Sequence, residues 1–176
     1  MVHPHSAPVA PDTSLLQQFN TCFKTPEEIH KTAGSETSVP LIPQSQVLTL
    51  KGIQPGQKKV GQGIVYIKDF FLYIQSLLAK LGIHQWAPNL DEASDTLYNE
   101  ACRINAIQSF CQVAIGGAYE HMNVNLCYLN EIQLLNATYN HYVYYYMTQR
   151  FKKEMKEAAK HRKDQEKGAI PISKNV

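Results

Sequence analysis

An all-α fold, an antiparallel three-helix bundle with a long C-terminal helix behind a proline-rich arm, is predicted by three features of this chain. Seven of its nine prolines fall within residues 1–60, a density that interrupts continuous core elements there. Two later stretches carry apolar residues at alternating spacings of three and four, the period of a helix face. Residues 123–167 contain neither proline nor glycine, so nothing in them stops a helix. The predicted organisation is an arm over 1–60 with short helical turns, a bundle over 61–153, and a projecting basic helix and tail over 154–176.

Within the arm, Ser14 is expected to cap a turn or two carrying Leu15, Leu16, Phe19, Cys22 and Phe23. Thr25-Pro26-Glu27-Glu28 offers a capping side chain, proline at the first helical position and glutamate at the third, a good helix start. Both short helices are expected either to dock or to stay mobile. The run Gln46–Ile53 suits a short extended strand, for which the rest of the chain suggests no partner.

The first long helix is predicted over 63–81, because Ile64, Ile67, Phe71, Ile74, Leu78 and Leu81 follow the 3,4 alternation and Phe70 and Leu77 widen the stripe. Gly82 ends it. After a loop carrying the lone tryptophan, Trp86, a second helix is predicted over 90–121. Asn89 and Glu92 would form its capping box, and Asp91 and Asp95 favour its positive end. Its seam runs through Leu97, Ala101, Ile104, Gln108, Cys111, Ile115, Ala118 and Met122. Gly116-Gly117 calls either for a kink or for another helix packed closely against it.

The third helix is predicted over 123–165. Tyr128, Ile132, Leu135, Tyr139, Tyr142 and Tyr146 mark its seam, which assigns Tyr139, Tyr142 and Tyr146 to the core edge, and Val143, Met147, Phe151 and Met155 extend the stripe. Tyr144 and Tyr145 fall off that stripe and become candidates for a partner surface. A tight turn before the helix makes it antiparallel to the second, so that everything after about residue 154 overhangs the bundle beside the Trp86 loop.

Formal charge is +2 overall, but Arg150–Lys167 holds eight basic residues against four acidic ones, leaving the remainder of the chain slightly negative. Three readings of this stretch compete. The bland one is a solvated helix end whose cations complement the helix dipole and pair with Glu154, Glu157, Asp164 and Glu166. A protein-binding extension would use Phe151, Met155 and Ala158-Ala159. A phosphate-binding helix would use Arg150, Lys152, Lys153, Lys156, Lys160, Arg162 and Lys163.

Catalytic chemistry finds little support. Gly56–Gly63 has the glycine spacing of a phosphate loop but places Gln62 and Gly63 where lysine and a hydroxyl residue are required. Glu27-x-x-His30 matches half of a carboxylate-bridged di-metal site, with no second copy. His121 and Cys127 lie near each other but fall short of the four ligands zinc takes. No nucleophile elbow occurs, and no cysteine has a histidine placed to activate it. The expectation is a protein that is not an enzyme and holds no cofactor or metal.

The four cysteines form no CxxC pair, and the first residues lack a charged leader followed by an apolar core, which together predict an intracellular, reducing setting. The sequon Asn136-Ala137-Thr138 is then silent. No stretch reaches the ~18 apolar residues of a membrane span.

Along LYNEACRINAIQSF (97–110), AYEHMNVNLCYLNE (118–131) and LLNATYNHYVYYYM (134–147), the chain resembles a family of uncharacterised, repeatedly duplicated fungal proteins. The resemblance covers roughly residues 60–150 and implies an intracellular setting without implying an activity. The functional expectation is an intracellular protein-interaction or assembly module that binds a protein partner or itself through Trp86, Tyr144, Tyr145, Phe151 and Met155. The alternative is a nucleic-acid-associated protein, capsid-like or transposon-associated, that uses the basic helix on phosphates.

Overall fold

The computed structural model describes residues 11–48, 57–60 and 63–156. Among these the chain is helical apart from one short hairpin. Its helices are α1 (Thr13–Cys22), α2 (Pro26–Gly34), α3 (Ile67–Lys80), α4 (Leu97–Ile115), α5 (Ile132–Asn140) and α6 (Thr148–Lys156). The hairpin pairs β1 (Gln57–Val60) with β2 (Gly63–Tyr66) antiparallel, with Val60 opposite Gly63 and Gln57 opposite Tyr66. It overturns the predicted start of the first long helix at residue 63, since Gly63–Tyr66 is extended and the helix begins at Ile67. Ile64 and Val65 are β-branched and suit a strand as well as a helix stripe.

The arm is more ordered than its prolines suggest. Thr25 accepts from the Glu28 amide and the Glu28 carboxylate returns to the Thr25 amide, the capping box expected at the start of α2, with Pro26 in the first turn. Asp12 rather than Ser14 caps α1, its carboxylate accepting from the Ser14 amide at 3.2 Å. Both helices then insert large side chains into the core. Phe19, Phe23, Ile29, Ala33, Ile42 and Val47 are all buried, in one cluster with Leu77, Leu78, Leu81, Ile83, Tyr98, Ala101, Cys102 and Ile104. The prolines set where these short helices start and where the chain turns between them, and they do not prevent packing.

Beyond α2 the chain runs along the end of α3. Leu41 and Ile42 donate to the Ala79 carbonyl in the last turn of α3, and Leu48 donates to the His84 carbonyl in the loop that follows, so the arm is tied to the end of this helix. Gln46, placed in a predicted strand, sits instead in a single 3₁₀ turn, and residues 49–53 of that run lie outside the described residues. Gly82 closes α3 as expected, at φ +68°, with the Ile83 amide reaching back to the Leu78 carbonyl.

α4 is the central helix, and α1, α2, α3 and α5 all pack on it. It begins seven residues later than the 90–121 prediction. The capping box of Asn89 and Glu92 does not form, because Asn89 is drawn into a different network. The fully buried Asn99 carboxamide accepts from the Asn89 amide at 2.8 Å and donates to the carbonyls of Asn89 and Ala93 at 3.0 and 2.8 Å. One side chain on α4 thus holds residues 89–93 as a loop. α4 also ends early, at Ile115, because Gly117 takes a left-handed φ of +79°. Gly116 is pressed against the Phe70 ring, where an added Cβ would lie 2.4 Å from ring carbon. The paired glycines therefore terminate the helix and admit α3.

The predicted third helix is likewise shorter at its start. Residues 123–131 form a left-handed residue at Asn123 and a 3₁₀ segment over Leu126–Asn130, and the continuous helix spans Ile132–Lys156. Its end near residue 165 lies outside the described residues. Arg103 of α4 contacts Asn140 while Cys111 contacts the Leu129 carbonyl, so the two helices run in opposite directions. In that register Leu97 lies across from about Tyr146, and the helix passes the end of α4 some two turns sooner than expected.

Candidate functional site

The helix over Ile132–Lys156 is not uniformly α. Between α5 and α6, His141–Met147 (HYVYYYM) forms a π-helical stretch, with helical backbone angles on both sides at Asn140 and Thr148. A π turn closes from i to i+5 and so advances each residue less far around the axis. Over seven residues the lag amounts to about one position. The inward row becomes Leu135, Tyr139, Val143, Met147 and Phe151, spaced by four throughout, with Val143 only 1% exposed. A second half-buried row is Asn136, Asn140, Tyr144 and Thr148.

This phase shift corrects the tyrosine assignment. Tyr142 and Tyr146, expected at the core edge, are 53% exposed each, and the inward places go to Val143 and Met147, which lie on the predicted extension of the stripe. Tyr144, expected outward, turns in beside Tyr139, their rings 6.3 Å apart and edge-on. Tyr139 lies inward as the seam predicts, and Tyr145 is 56% exposed.

The outer face consequently carries two ring stacks. Tyr142 and Tyr146 lie nearly parallel, 9° apart with centroids at 6.1 Å, and His141 and Tyr145 are stacked at 5.1 Å and 21°. Among the residues singled out for partner binding, Met155 is 73% exposed and Phe151 is half-buried. Trp86 sits partly buried on the core, its indole N–H donating to the Cys102 carbonyl at 2.9 Å. Of the basic candidates, Lys152, Lys153 and Lys156 are exposed and Arg150 is half-buried. Lys160, Arg162 and Lys163 lie outside the described residues, as do Ala158-Ala159.

Behind the outer face is a polar cluster that sequence reading missed. The Glu100 carboxylate pairs with the Arg103 guanidinium one turn away and with His30 Nε2 at 3.1 Å. Arg103 Nη1 donates to the Asn140 carboxamide oxygen at 3.4 Å. The Glu100 and Arg103 side chains are mostly covered while His30 is largely in solvent, so the cluster joins α2, α4 and α5 through one mostly buried ion pair and a histidine at its rim. Of the half di-metal motif, only His30 takes part in this cluster. Glu27 stays in solvent with its carboxyl held below the usual range, first by a backbone hydrogen bond and then by the Thr25 hydroxyl. The i,i+3 spacing of Glu100 and Arg103 was visible in the sequence, but it reads there as an ordinary surface pair.

Nearby hydroxyls and thiols are poorly suited to acid–base chemistry. Burial drives the Tyr98, Tyr139 and Tyr144 phenols far above their ordinary range and pushes the Cys102 thiol up to about 12. These groups stay protonated in the folded protein at every physiological pH. Among the described residues no three His, Cys, Asp or Glu side chains gather as a metal would require.

The same burial fixes the alkaline limit of stability. In the unfolded chain the thiol ionises near 9.0 and the phenols near 10.0, while the folded protein retains those protons. The folded state then binds more protons than the unfolded one, and stability falls as pH rises. Urea midpoints should be flat from neutrality to about pH 8.5 and fall continuously above about pH 9. A midpoint that held constant to about pH 11 would contradict the burial of these groups.

Among the described residues no helix is long and apolar enough to cross a membrane. No family model, curated protein or solved structure matches the chain.

Proposed function

We propose that the protein is a non-enzymatic interaction or assembly module, built on α3, α4 and the α5–α6 helix as an antiparallel three-helix framework onto which the arm helices dock. The observation that carries this reading is the apolar surface where α4 leads into α5. Ile115, Met122, Leu126, Tyr128, Ile132 and Leu134, six large apolar side chains within twenty residues of chain, are each about half exposed or more. Scattered single exposures are ordinary, but a concentration of this kind marks contact surfaces. The backbone supports the same view, since the turns of 123–131 hold Leu126 and Tyr128 at the surface and bury no residue of that segment.

The partner is a protein, and a second copy of this chain is the simplest one. An intracellular setting accords with four cysteines that are all free, two of them exposed. The basic character of the chain lies at the other end of the last helix, away from the apolar surface.

Light scattering across a concentration series tests the proposal. The expected result is a mass that rises with concentration and returns to the monomer value in the Leu126→Asp/Ile132→Asp variant, whose sites are exposed and whose fold should survive. A strictly monomeric parent that also captures no protein partner would rule the reading out.

A further inference from the structure

From the outer face of the π-helical stretch we infer a binding surface for single-stranded nucleic acid, distinct from the apolar end and independent of the assembly reading. The π turn brings His141, Tyr142, Tyr145 and Tyr146 to the solvent side together, in two side-by-side stacks of near-parallel rings. An uninterrupted α-helix continued from the inward-facing Tyr139 would bring Tyr146 back to the inward side and break up this platform. π-helical interruptions recur at functional positions, and here the interruption is what exposes the rings.

Charge supplies the second component. From Ile132 to Lys153 the chain has no acidic residue, while Lys152 and Lys153, and then Lys156, stand exposed after the platform. Tyr146 and Lys152 are six residues apart, about 9 Å along the axis, roughly the rise of three stacked nucleotides. A strand lying along this face would set bases on the open ring faces and bring its phosphates to the lysines.

That combination selects the occupant. Flat rings followed by cations are how proteins hold unpaired strands, because every base has a face to stack and every phosphate a charge to neutralise. A duplex hides its base faces and would engage only the lysines. An acidic peptide would also use the lysines and gain little from two pairs of stacked rings. A lipid surface calls for aliphatic side chains, whereas the outward residues here are three tyrosines and a histidine.

Anisotropy of a labelled single-stranded oligonucleotide of about sixteen residues, titrated with the full chain at about 50 and about 200 mM salt, tests the inference. The parent should bind the single strand more tightly than a duplex of the same sequence. The Tyr142→Ala/Tyr145→Ala/Tyr146→Ala variant should bind about 10-fold or more weakly at both salts with its salt dependence unchanged. The Lys152→Gln/Lys153→Gln/Lys156→Gln variant should lose salt dependence, by about 0.7 in log–log slope for each phosphate contact removed. Circular dichroism establishes that each variant is folded, and Tyr145→Leu alone, which keeps apolar bulk and removes one ring face, should still weaken binding several-fold. No binding by the parent, equal binding of duplex, or ring variants as tight as the parent would overturn the inference. So would a ring variant that loses self-association while the parent ignores the oligonucleotide, since the rings would then be a protein interface. Binding is read separately from oligomeric mass, so failure here leaves the assembly proposal standing.

Discussion

Phe19→Ala is expected to lower folding stability by about 3–5 kcal/mol, the cost of removing a buried aromatic ring and leaving a cavity behind. Phe19 belongs to the arm, yet it is buried, with its ring edge-on to Tyr98 of α4 at 5.3 Å and tilted against Phe23 at 5.1 Å. Such aromatic contacts add to plain burial. Urea unfolding of the parent and the variant measures the difference. A loss below about 1 kcal/mol would mean that α1 contributes little to the core and that the arm is an appendage.

Arg103→Met should cost a similar amount, about 3–5 kcal/mol, for a different reason. The substitution keeps a long apolar stem but strands the Glu100 carboxylate, which is then left with His30, a partner still largely in solvent. It also removes the donor to Asn140, the polar tie between α4 and α5. Because a buried ion pair recovers little more than its own desolvation, the Glu100→Leu/Arg103→Met double variant should regain most of the loss. The double-mutant cycle is therefore decisive. Additive losses from the two single changes would show that the charges do not depend on one another.

Much of the fold was legible in local sequence. The capping box at Thr25–Glu28, the stop at Gly82 and the apolar stripe of α3 appear where their residues predict, because each rests on interactions within a few positions of chain. Local sequence leaves open whether the arm docks, for the opposite reason. Its prolines were visible, but the core that receives Phe19, Ile29 and Ile42 is made by α3 and α4, far away in sequence. The start of α4 failed likewise. Asn89 and Glu92 make a sound capping box on paper, and Asn99, whose side chain holds residues 89–93 in a loop, gives no local sign of that role.

The candidate site was half legible. The exposed lysines after Phe151 and the density of tyrosines were both plain, but which tyrosines face solvent was not. Alternating spacings of three and four fit Tyr139, Tyr142 and Tyr146, whereas a constant spacing of four fits Leu135, Val143, Met147 and Phe151 equally well. Only the second keeps the more apolar residues inside, and that preference was the available signal.

By itself, the sequence determined that this is a helical protein whose last long helix passes from apolar through aromatic to basic, because periodicity, glycine stops and charge order are properties of neighbouring residues. The tertiary structure alone decided that the arm completes the core and that Glu100 and Arg103 are buried together. It also decided that the last helix widens into a π turn at His141–Met147. Packing against α4 selects among helical phases that differ little in local energy, and a shift of about one residue is enough to exchange an inward ring for an outward one.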